Sequence, residues 1–435
     1  MEIQQLNELL AAGIFDAAGQ FPHLERLQKA PFQFKINFGL ASLPEEAGIL
    51  LIRGARQYGK STWLETEIKK TIQQFGPGSA YYLNGEYIAD IIQFEQALIK
   101  LLTAFEKSAR VKRLFIDEIT AIPHWELVLK RLADRGLLQN ILVITTGSKA
   151  TDLRRAHERL PGRRGKLSRS TYLFTPITYS EFHRVCGHLL GQNTLIAYLL
   201  SGGSPIACSE LATEKVIPEY VIELTRDWIE GEVSAANRSR AALLNILQVL
   251  FRYGTTPVGQ AKLARESGLS NNTVAAGYIE LLNDLGCVIP AFPWDNNKKI
   301  LLLRKECKYH FTNLLVAVSY HQNRIRSVND FLALSPVNQA MWYEWLVAQE
   351  LSRRAAITDA EILSPLAFWQ SKENEIDFVV PPDLWIEVKR GRSSAIEFGW
   401  FPQVFPKQRL TVINSAPFET STTQGITLEN FLESE

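Results

Sequence analysis

The sequence predicts an α/β protein that opens with a parallel sheet covered by helices and continues into helical and mixed regions. In the first 180 residues, short apolar runs alternate with helical stretches, an order typical of a parallel sheet with helices on both faces. Helical patterns then dominate to about residue 285, and strand patterns return near Val288. The predicted strands of the first region are AGILLI, SAYYLN, KRLFID, NILVIT and STYLFT. The predicted domains are residues 1–180, a helical lid at 181–235, a third domain at 236–330 and a mixed α/β domain at 331–435.

Composition sets the broad class of the protein. The 435 residues are 46% hydrophobic and 21% charged, which is typical of a globular protein with several domains. The start, MEIQQLNELLAAG, lacks the basic and apolar regions of a secretory signal, and no run approaches the roughly 18 apolar residues of a membrane span. We therefore expect a cytoplasmic protein without a membrane partner. The four cysteines are scattered without a C-x-x-C pair, which favours reduced structural thiols over zinc or disulfides.

The strongest local signal is the nine-residue stretch GARQYGKST, which follows the first apolar run and precedes a helical segment. Gly54, Gly59, Lys60 and Ser61 satisfy the spacing G-x-x-x-x-G-K-[ST] of a phosphate-binding P-loop. Backbone amides and the helix N-terminus suit phosphate, the lysine reaches the β- and γ-phosphates, and the serine hydroxyl binds Mg²⁺. The sequence thus predicts ATP and Mg²⁺ as cofactors. The residues expected around the nucleotide are Gly54, Arg56, Gln57, Tyr58, Gly59, Lys60, Ser61 and Thr62.

Two acidic residues end the apolar run RLFIDEI, at Asp117 and Glu118. At the carboxyl end of a buried strand beside the P-loop, Asp117 would hold Mg²⁺ and Glu118 would polarise the attacking water, because phosphoryl transfer depends on positioning and charge. The alternative is a strand that simply meets solvent. The order of the two motifs favours the catalytic interpretation.

Two further elements of the first region could serve ATP hydrolysis. The strand NILVITTGS ends in Thr145, Thr146 and Ser148, where a hydroxyl could sense the γ-phosphate or merely begin a polar turn. The following basic run contains Arg163 and Arg164. Such a run is usually a solvated surface. In an oligomer, however, an arginine presented to a neighbouring subunit's nucleotide stabilises the transition state.

In this order, the motifs GARQYGKS, FIDEI, TGS, GRR and TPITYSEF resemble an AAA-type ATPase group of bacteria and archaea. The resemblance implies ATP hydrolysis in a homo-oligomer, with a hexamer as one arrangement, and a C-terminal domain attached to the ATPase. The segment YLLSGGSPIA resembles the linker to that domain. Tyr58 departs from the group, which often has a small or aliphatic residue there, so we expect a differently shaped nucleotide pocket.

The segment AKLARESGLSNNTVAAGYIELLNDLGCVIP predicts a helix-turn-helix within a winged-helix domain. Gly268 permits the turn, Ser270 is the expected cap of the second helix, and the apolar positions lie on one face. With a net charge of only +1, any DNA contact must come from local patches. Such a domain also serves as a protein-docking module in other proteins. The residues expected to meet DNA are Asn271, Asn272 and Thr273 at the helix start and Lys298 and Lys299 at the wing tip.

The last hundred residues carry a helix with YEWLV, the strand-like run EIDFVV and the run LWIEVKR. A helix glutamate, a strand aspartate and then E-x-K resemble the PD-(D/E)xK nuclease core of restriction enzymes and Holliday-junction resolvases. The resemblance implies a restriction-endonuclease-like fold in which carboxylates hold Mg²⁺ and the lysine steadies the attacking water. The alternative is a solvated strand or a fold kept for binding. The metal-site residues are Glu344, in preference to Glu350, with Asp377, Glu387 and Lys389.

Two functions of different classes fit these patterns. One is an ATP-driven motor or remodeller that acts on duplex or branched, Holliday-junction-like DNA. The other is an ATP-controlled switch that acts on a protein partner, as an antitoxin or a defence sensor.

Overall fold

The computed structural model describes residues 1–105, 109–147, 165–358, 365–381 and 383–434. It divides into two compact units. Unit 1 comprises Met1–Thr175 and Ala355–Ile362, and unit 2 comprises Pro176–Arg354 and Leu363–Glu435. The four-part division made from the sequence is finer than this and stays a prediction. Across the described ranges, no helix has both the length and the apolar character needed to cross a bilayer.

The parallel sheet predicted for the first region is confirmed in unit 1. Among the described residues, five strands pair in parallel in the order β2-β3-β4-β1-β5. The strand β4 lies between β1 and β3, so the strand that ends in the two acids is not the immediate neighbour of the strand that leads into the P-loop. The strands are β1 (Gly48–Arg53), β2 (Ala80–Asn84), β3 (Arg113–Asp117), β4 (Leu142–Gly147) and β5 (Thr171–Leu173).

Helices cover both faces of this sheet, which explains why its strands are apolar at nearly every position. Side chains alternate between faces along a strand, so Ile49 and Leu51 belong to one core cluster and Leu50 and Ile52 to the other. The first cluster includes residues of α4 and α5, and the second includes residues of α1 and α3. The described helices of unit 1 are α1 (Ile3–Ala11), α2 (Pro22–Lys29), α3 (Lys60–Phe75), α4 (Ile91–Ala104) and α5 (Trp125–Asp134).

Unit 2 begins with helices, as the patterns after Pro176 predict. The first of these is capped by the Thr178 side chain, which accepts a hydrogen bond from the backbone amide of Glu181. The helices are α6 (Tyr179–Leu190), α7 (Thr194–Ser201), α8 (Pro205–Thr213), α9 (Glu219–Ala235), α10 (Arg240–Tyr253), α11 (Gln260–Glu266), α12 (Asn272–Asp284), α13 (Leu314–Tyr320), α14 (Val328–Leu332), α15 (Pro336–Thr358), α16 (Phe401–Val404) and α17 (Leu428–Glu433).

The described strands of unit 2 form two sheets. One has the order β10-β9-β6-β7, with β8 also pairing with β6, and the other has the order β11-β12-β13-β15-β14. Because β9 pairs in parallel with β6, strands on both sides of residue 330 share one sheet. The strands are β6 (Val288–Asp295), β7 (Ile300–Leu301), β8 (Lys308–Phe311), β9 (Leu366–Gln370), β10 (Glu375–Ile376), β11 (Phe378–Val380), β12 (Leu384–Val388), β13 (Arg409–Ile413), β14 (Phe418–Glu419) and β15 (Thr423–Ile426).

Candidate functional site

The P-loop joins β1 to α3 through a tightly constrained turn. Gly54 lies against Phe174, and a Cβ atom at Gly54 would come within 2.8 Å of the Phe174 Cβ atom. Gln57 and Gly59 both have positive φ angles, 63° and 104°, in the left-handed region that glycine adopts most readily. Gly59 is also the N-cap of α3. The loop therefore curls directly into a helix N-terminus, which is the geometry that binds phosphate.

Lys60, the first residue of α3, has its side chain inside the loop. The residue is 4% exposed, and its Nζ atom donates hydrogen bonds to the carbonyl oxygens of Gly54, at 3.0 Å, and Ala55, at 2.8 Å. Burial lowers the pKa of Lys60, while the negative charges of Glu118 and Asp117 act in the opposite direction. The lysine thus lies in the electrostatic field of both predicted acids, so the loop and the end of β3 enclose one site.

Asp117, Glu118 and Thr146 form a hydrogen-bonded group at the carboxyl ends of β3 and β4. The Thr146 hydroxyl donates to Asp117 Oδ1, and the Glu118 amide donates to Thr146 Oγ1 and to Asp117 Oδ1, both at 3.2 Å. Thr146 can reach Asp117 because β4 lies between β1 and β3. This hydroxyl, predicted as a γ-phosphate sensor, therefore holds the two acids in place.

The backbone at Glu118 is held in an unusual conformation. Its φ and ψ angles are both 45°, a left-handed conformation that costs a non-glycine residue about 1 kcal/mol or more. Gly85 provides the space, because a Cβ atom there would lie 2.4 Å from the Glu118 carbonyl oxygen. A constrained backbone of this kind fixes the direction in which the Glu118 carboxylate leaves the sheet edge.

The remaining predicted nucleotide residues have different surroundings. Arg56 and Gln57 are exposed, and Ser61 and Thr62 are half-buried at the start of α3. Tyr58 is 4% exposed and belongs to the core cluster that includes α3, so its ring contributes to packing. The Thr145 hydroxyl donates to the Leu50 carbonyl oxygen, which is a structural role. Ser148, Arg163 and Arg164 lie outside the described residues.

These residues fit a magnesium–nucleotide complex. The buried ammonium group of Lys60 and the amides of the curled loop suit the phosphates, and the oxygens of Ser61 and Asp117 are the hard ligands that Mg²⁺ prefers. A loop, lysine and acid pair of this kind on a parallel sheet define a P-loop nucleoside triphosphatase.

Glu65 is a residue of this site that the sequence patterns did not single out. It lies on α3 one turn after Ser61, and its Oε2 atom accepts hydrogen bonds from the backbone amides of His23 and Leu24, each at 2.9 Å. It thereby caps the start of α2, whose own N-cap residue, Phe21, provides no side-chain bond. Burial, with a contribution from the charge of Asp117, raises the pKa of Glu65 to about 7. Its partners lie more than 40 residues away in the chain, so no local pattern could reveal them.

Glu65→Gln is expected to change how stability depends on pH. Because the pKa of Glu65 is about 7 in the folded protein, above its ordinary value of 4.5, the folded state binds more protons between these two values. The contribution of Glu65 to stability is therefore greatest below about pH 4.5 and falls as the pH rises to about 7, by up to about 3 kcal/mol. Glutamine keeps an acceptor for both amides without a charge. Melting temperatures from pH 5 to pH 8 should fall less in Glu65→Gln than in the wild type or in the exposed control Glu46→Gln, and parallel curves would contradict this.

The structure places the predicted DNA-contacting residues at two exposed positions of unit 2. The cap of α12 is Asn271 and not Ser270, because Asn271 Oδ1 accepts from the Val274 amide at 3.0 Å. Its side chain is thus partly committed to the helix, while Asn272 and Thr273 are exposed. Lys298 and Lys299 lie in the turn between the antiparallel strands β6 and β7. This turn is ordered by Asp295, whose Oδ1 atom accepts from the Asn297 and Lys298 amides, both at 3.0 Å.

The predicted nuclease-like residues share one region of unit 2, together with cations that the sequence did not indicate. Asp377 lies between β10 and β11 rather than within a strand, and its Oδ2 atom accepts from the Val388 amide at 2.9 Å. Glu387 Oε1 accepts from Lys389 Nζ at 2.5 Å. Glu344 Oε1 accepts from the Thr255 hydroxyl at 3.1 Å. Glu350, the residue not preferred, instead forms ion pairs with Arg353 and Arg354.

The acidic side chains of this nuclease-like region interact electrostatically. Burial, followed by the charge of Asp377, raises the pKa of Glu387 to about 8 and raises that of Glu344 well above its ordinary value. Within the described parts of the chain, however, no three His, Cys, Asp or Glu side chains are arranged to hold a metal ion. The arrangement differs in this respect from the metal site expected from the sequence. We therefore derive no chemical step through a metal at this position.

Comparison with known proteins agrees with the class defined by the P-loop. Residues 46–183 match the family model of the AAA domain. This part of the chain, which is less than half of it, is similar to an AAA-type P-loop ATPase domain. No curated protein matches the chain.

Several solved structures show distant similarity. The Walker-type ATPase PABY2304 of Pyrococcus abyssi is 14% identical over 71% of this chain and 96% of that chain, with a TM-score of 0.42. The ORC1 protein of Aeropyrum pernix, solved in complex with DNA, is 14% identical over 72% of this chain and 95% of that one, with a TM-score of 0.33. A RuvB mutant of Thermotoga maritima is 15% identical over 55% and 81% of the two chains, with a TM-score of 0.31.

Proposed function

We propose that the protein is an oligomeric ATPase that hydrolyses ATP in unit 1 and contacts DNA through unit 2, as a motor or remodeller of duplex or branched DNA. The observation that carries the ATPase part is the single site formed by Lys60, Asp117, Glu118 and Thr146 at one edge of the sheet. In the assembled protein, Arg163 or Arg164 of a neighbouring subunit would complete the site.

Each residue has a distinct part in the proposed hydrolysis. Lys60 exchanges its bonds to the Gly54 and Ala55 carbonyls for the β- and γ-phosphates and offsets their negative charge. Ser61 and Asp117 would hold a Mg²⁺ ion, which would supply positive charge to offset the charge that develops on the phosphate oxygens. Glu118 orients and polarises the attacking water. Thr146 keeps Asp117 and the Glu118 backbone in register through its two hydrogen bonds.

The proposed DNA surface consists of the exposed start of α12 and the β6–β7 turn. An exposed helix N-terminus presents amides and short polar side chains to base edges or phosphates. Lys298 and Lys299 add positive charge at the turn, where both residues are exposed. The decisive functional assay is the rate of ATP hydrolysis without DNA and with duplex, single-stranded and four-way DNA. Stimulation by one of these would support the proposal and identify the preferred structure.

The double variant Lys298→Ala, Lys299→Ala is expected to weaken DNA binding at least tenfold at low salt. Removing one lysine that neutralises a phosphate should reduce the slope of log affinity against log salt concentration by about 0.9, so the slope should fall by up to about 1.8. Fluorescence anisotropy with labelled duplex over a salt series measures both quantities. The matched control is Lys29→Ala, Lys130→Ala, which removes two exposed lysines from unit 1. An unchanged slope of log affinity against log salt concentration would show that Lys298 and Lys299 are not part of the proposed DNA surface. A rate of ATP hydrolysis that no DNA changes would favour the ATP-controlled switch that acts on a protein partner.

A further inference from the structure

A buried lysine from another part of unit 2 lies among the acidic residues of the nuclease-like region. We propose that the ammonium group of Lys308 is a built-in cation of this carboxylate cluster, defined as Glu344, Glu375, Asp377 and Glu387, and that the cluster is a folding element that takes up no divalent ion. This inference rests on the proposed function and deepens it, because it assigns no DNA cleavage to the C-terminal region.

The geometry places the ammonium group in contact with two members of the cluster. Lys308 is 1% exposed, and its Nζ atom donates to Asp377 Oδ1 at 3.3 Å and to Glu375 Oε1. The same atom lies 5.2 Å from the centre of the Phe368 ring, a favourable position for a cation. Asp377, the acid expected to bind metal, thus has one oxygen committed to Lys308 and the other to the Val388 amide.

The charge balance of the site supports a resident ammonium ion. Burial alone would lower the pKa of Lys308, but the charges of Asp377, Glu344 and Glu375 outweigh burial and raise it. A buried lysine in this field stays protonated at neutral pH. An acid cluster brought together without a cation would be strongly repulsive, and Lys308 supplies positive charge from within the chain at Asp377 and Glu375, as Lys389 does at Glu387.

The origin of Lys308 explains why it is structurally important. It begins β8, which pairs with β6, whereas the acids lie on α15, on β10 and β12, and between β10 and β11. The ion pairs therefore connect the segment predicted as a winged helix to the segment predicted as nuclease-like. Asp377 and Lys308 are 69 residues apart in the chain, so this connection is purely tertiary.

The competing possibility is that two carboxylate oxygens of the cluster help to bind a divalent ion. Glu344 Oε2 and Glu387 Oε2 are buried and have no hydrogen-bond partner among the described residues. A divalent ion bound to these oxygens together with Asp377 would have to share Asp377 Oδ1 with the Lys308 ammonium group, 3.3 Å away, against the repulsion between the two positive charges. Binding of a divalent ion by the wild-type protein would therefore contradict the proposal. Binding that appears only after Lys308 is replaced would agree with it.

The first experiment uses the full-length wild-type protein without nucleotide. Mn²⁺ binding is measured by calorimetry in parallel for the wild type and for Asp377→Asn, and plasmid and four-way DNA are incubated with each protein in MgCl₂. We expect the two proteins to bind Mn²⁺ equally and neither to cut DNA. A Mn²⁺ site that disappears in Asp377→Asn, or Mg²⁺-dependent cutting that Asp377→Asn abolishes, would overturn the proposal.

The second experiment tests the role of the ammonium charge. Lys308→Met keeps the aliphatic stem and removes the charge, so in EDTA its melting temperature should fall by at least about 6 °C, and MnCl₂ should recover part of the loss. Lys308→Arg should melt closer to the wild type. If Lys308→Met does not fold, Glu375→Gln removes one partner and should lower the melting temperature less. An unchanged melting temperature in Lys308→Met or in Glu375→Gln would contradict the proposal. Failure of the ATPase proposal would appear only in assays of ATP turnover.

Discussion

Lys60→Ala is expected to abolish ATP turnover while leaving the fold intact. Lys60 is the buried cation of the P-loop, and its Nζ atom already points into the loop, where it bonds two carbonyl oxygens. Removing one partner of a buried charge pair costs about 2–5 kcal/mol, so ATP affinity or turnover should fall on the order of a hundredfold or more. Binding of a fluorescent ATP analogue and release of phosphate measure the two effects separately.

The control for this change lies on the same helix. Lys70 is also on α3, but its side chain is 60% exposed and pairs with Glu67 at 2.7 Å. Lys70→Ala should therefore bind and hydrolyse ATP as the wild type does. Equal circular dichroism spectra and melting temperatures would show that Lys60→Ala is folded. Normal hydrolysis by a folded Lys60→Ala protein would refute the assignment of GARQYGKST as the catalytic loop.

Glu118→Gln is expected to separate ATP binding from ATP hydrolysis. The variant keeps the shape of the side chain and the backbone bonds to Thr146 and Asp117, but loses the charge that polarises water. General-base catalysis contributes about 10²- to 10⁴-fold, so single-turnover hydrolysis should slow by that factor while ATP remains bound. Quantifying bound ATP and ADP after gel filtration measures the trapped state.

The matched control is Glu46→Gln, an exposed glutamate just before β1 at the opposite end of the sheet. It changes the net charge by the same amount and should leave both binding and turnover unchanged. A Glu118→Gln protein that hydrolyses ATP at the wild-type rate would show that another group activates the water. A variant that loses binding as well would mean that Glu118 contributes to ground-state binding instead.

Most of the fold of unit 1 was predictable because the sequence patterns that indicate it lie within short stretches of the chain. The apolar runs predicted the five strands that the structure describes in unit 1, since a strand buried on both faces must be apolar throughout. Spacing within nine residues identified the P-loop, because the requirements of a phosphate for amides, a lysine and a hydroxyl are met by neighbouring residues. The end of β3 at Asp117 was predictable for the same reason, because the apolar run gives way to two acids there, and the catalytic roles of Asp117 and Glu118 stay predictions.

The placement of these elements relative to one another was not predictable in the same way. The insertion of β4 between β1 and β3 places the Thr146 hydroxyl in hydrogen-bond contact with Asp117, and its role as a phosphate sensor stays a prediction. The hydrogen bonds that Glu65 accepts from the amides of His23 and Leu24 exist only because α2 docks against α3. Both sets of hydrogen bonds depend on strand order and on helix docking, which hydrophobic periodicity does not encode.

By itself, the sequence determined the fold class, the parallel sheet, the phosphate-binding loop and the acids that follow it, because each depends on residue types within a short stretch of chain. It also indicated that Glu387 and Lys389 lie on one side of a strand, since side chains alternate along β12. Only the tertiary structure decided which residues these side chains contact. In the sequence, Lys308 is one of several charged residues in RKECKYH, yet β8 pairs with β6 and places its ammonium group beside Asp377. A buried charge is stabilised by partners distant in the chain, and those partners exist only after the strands have paired.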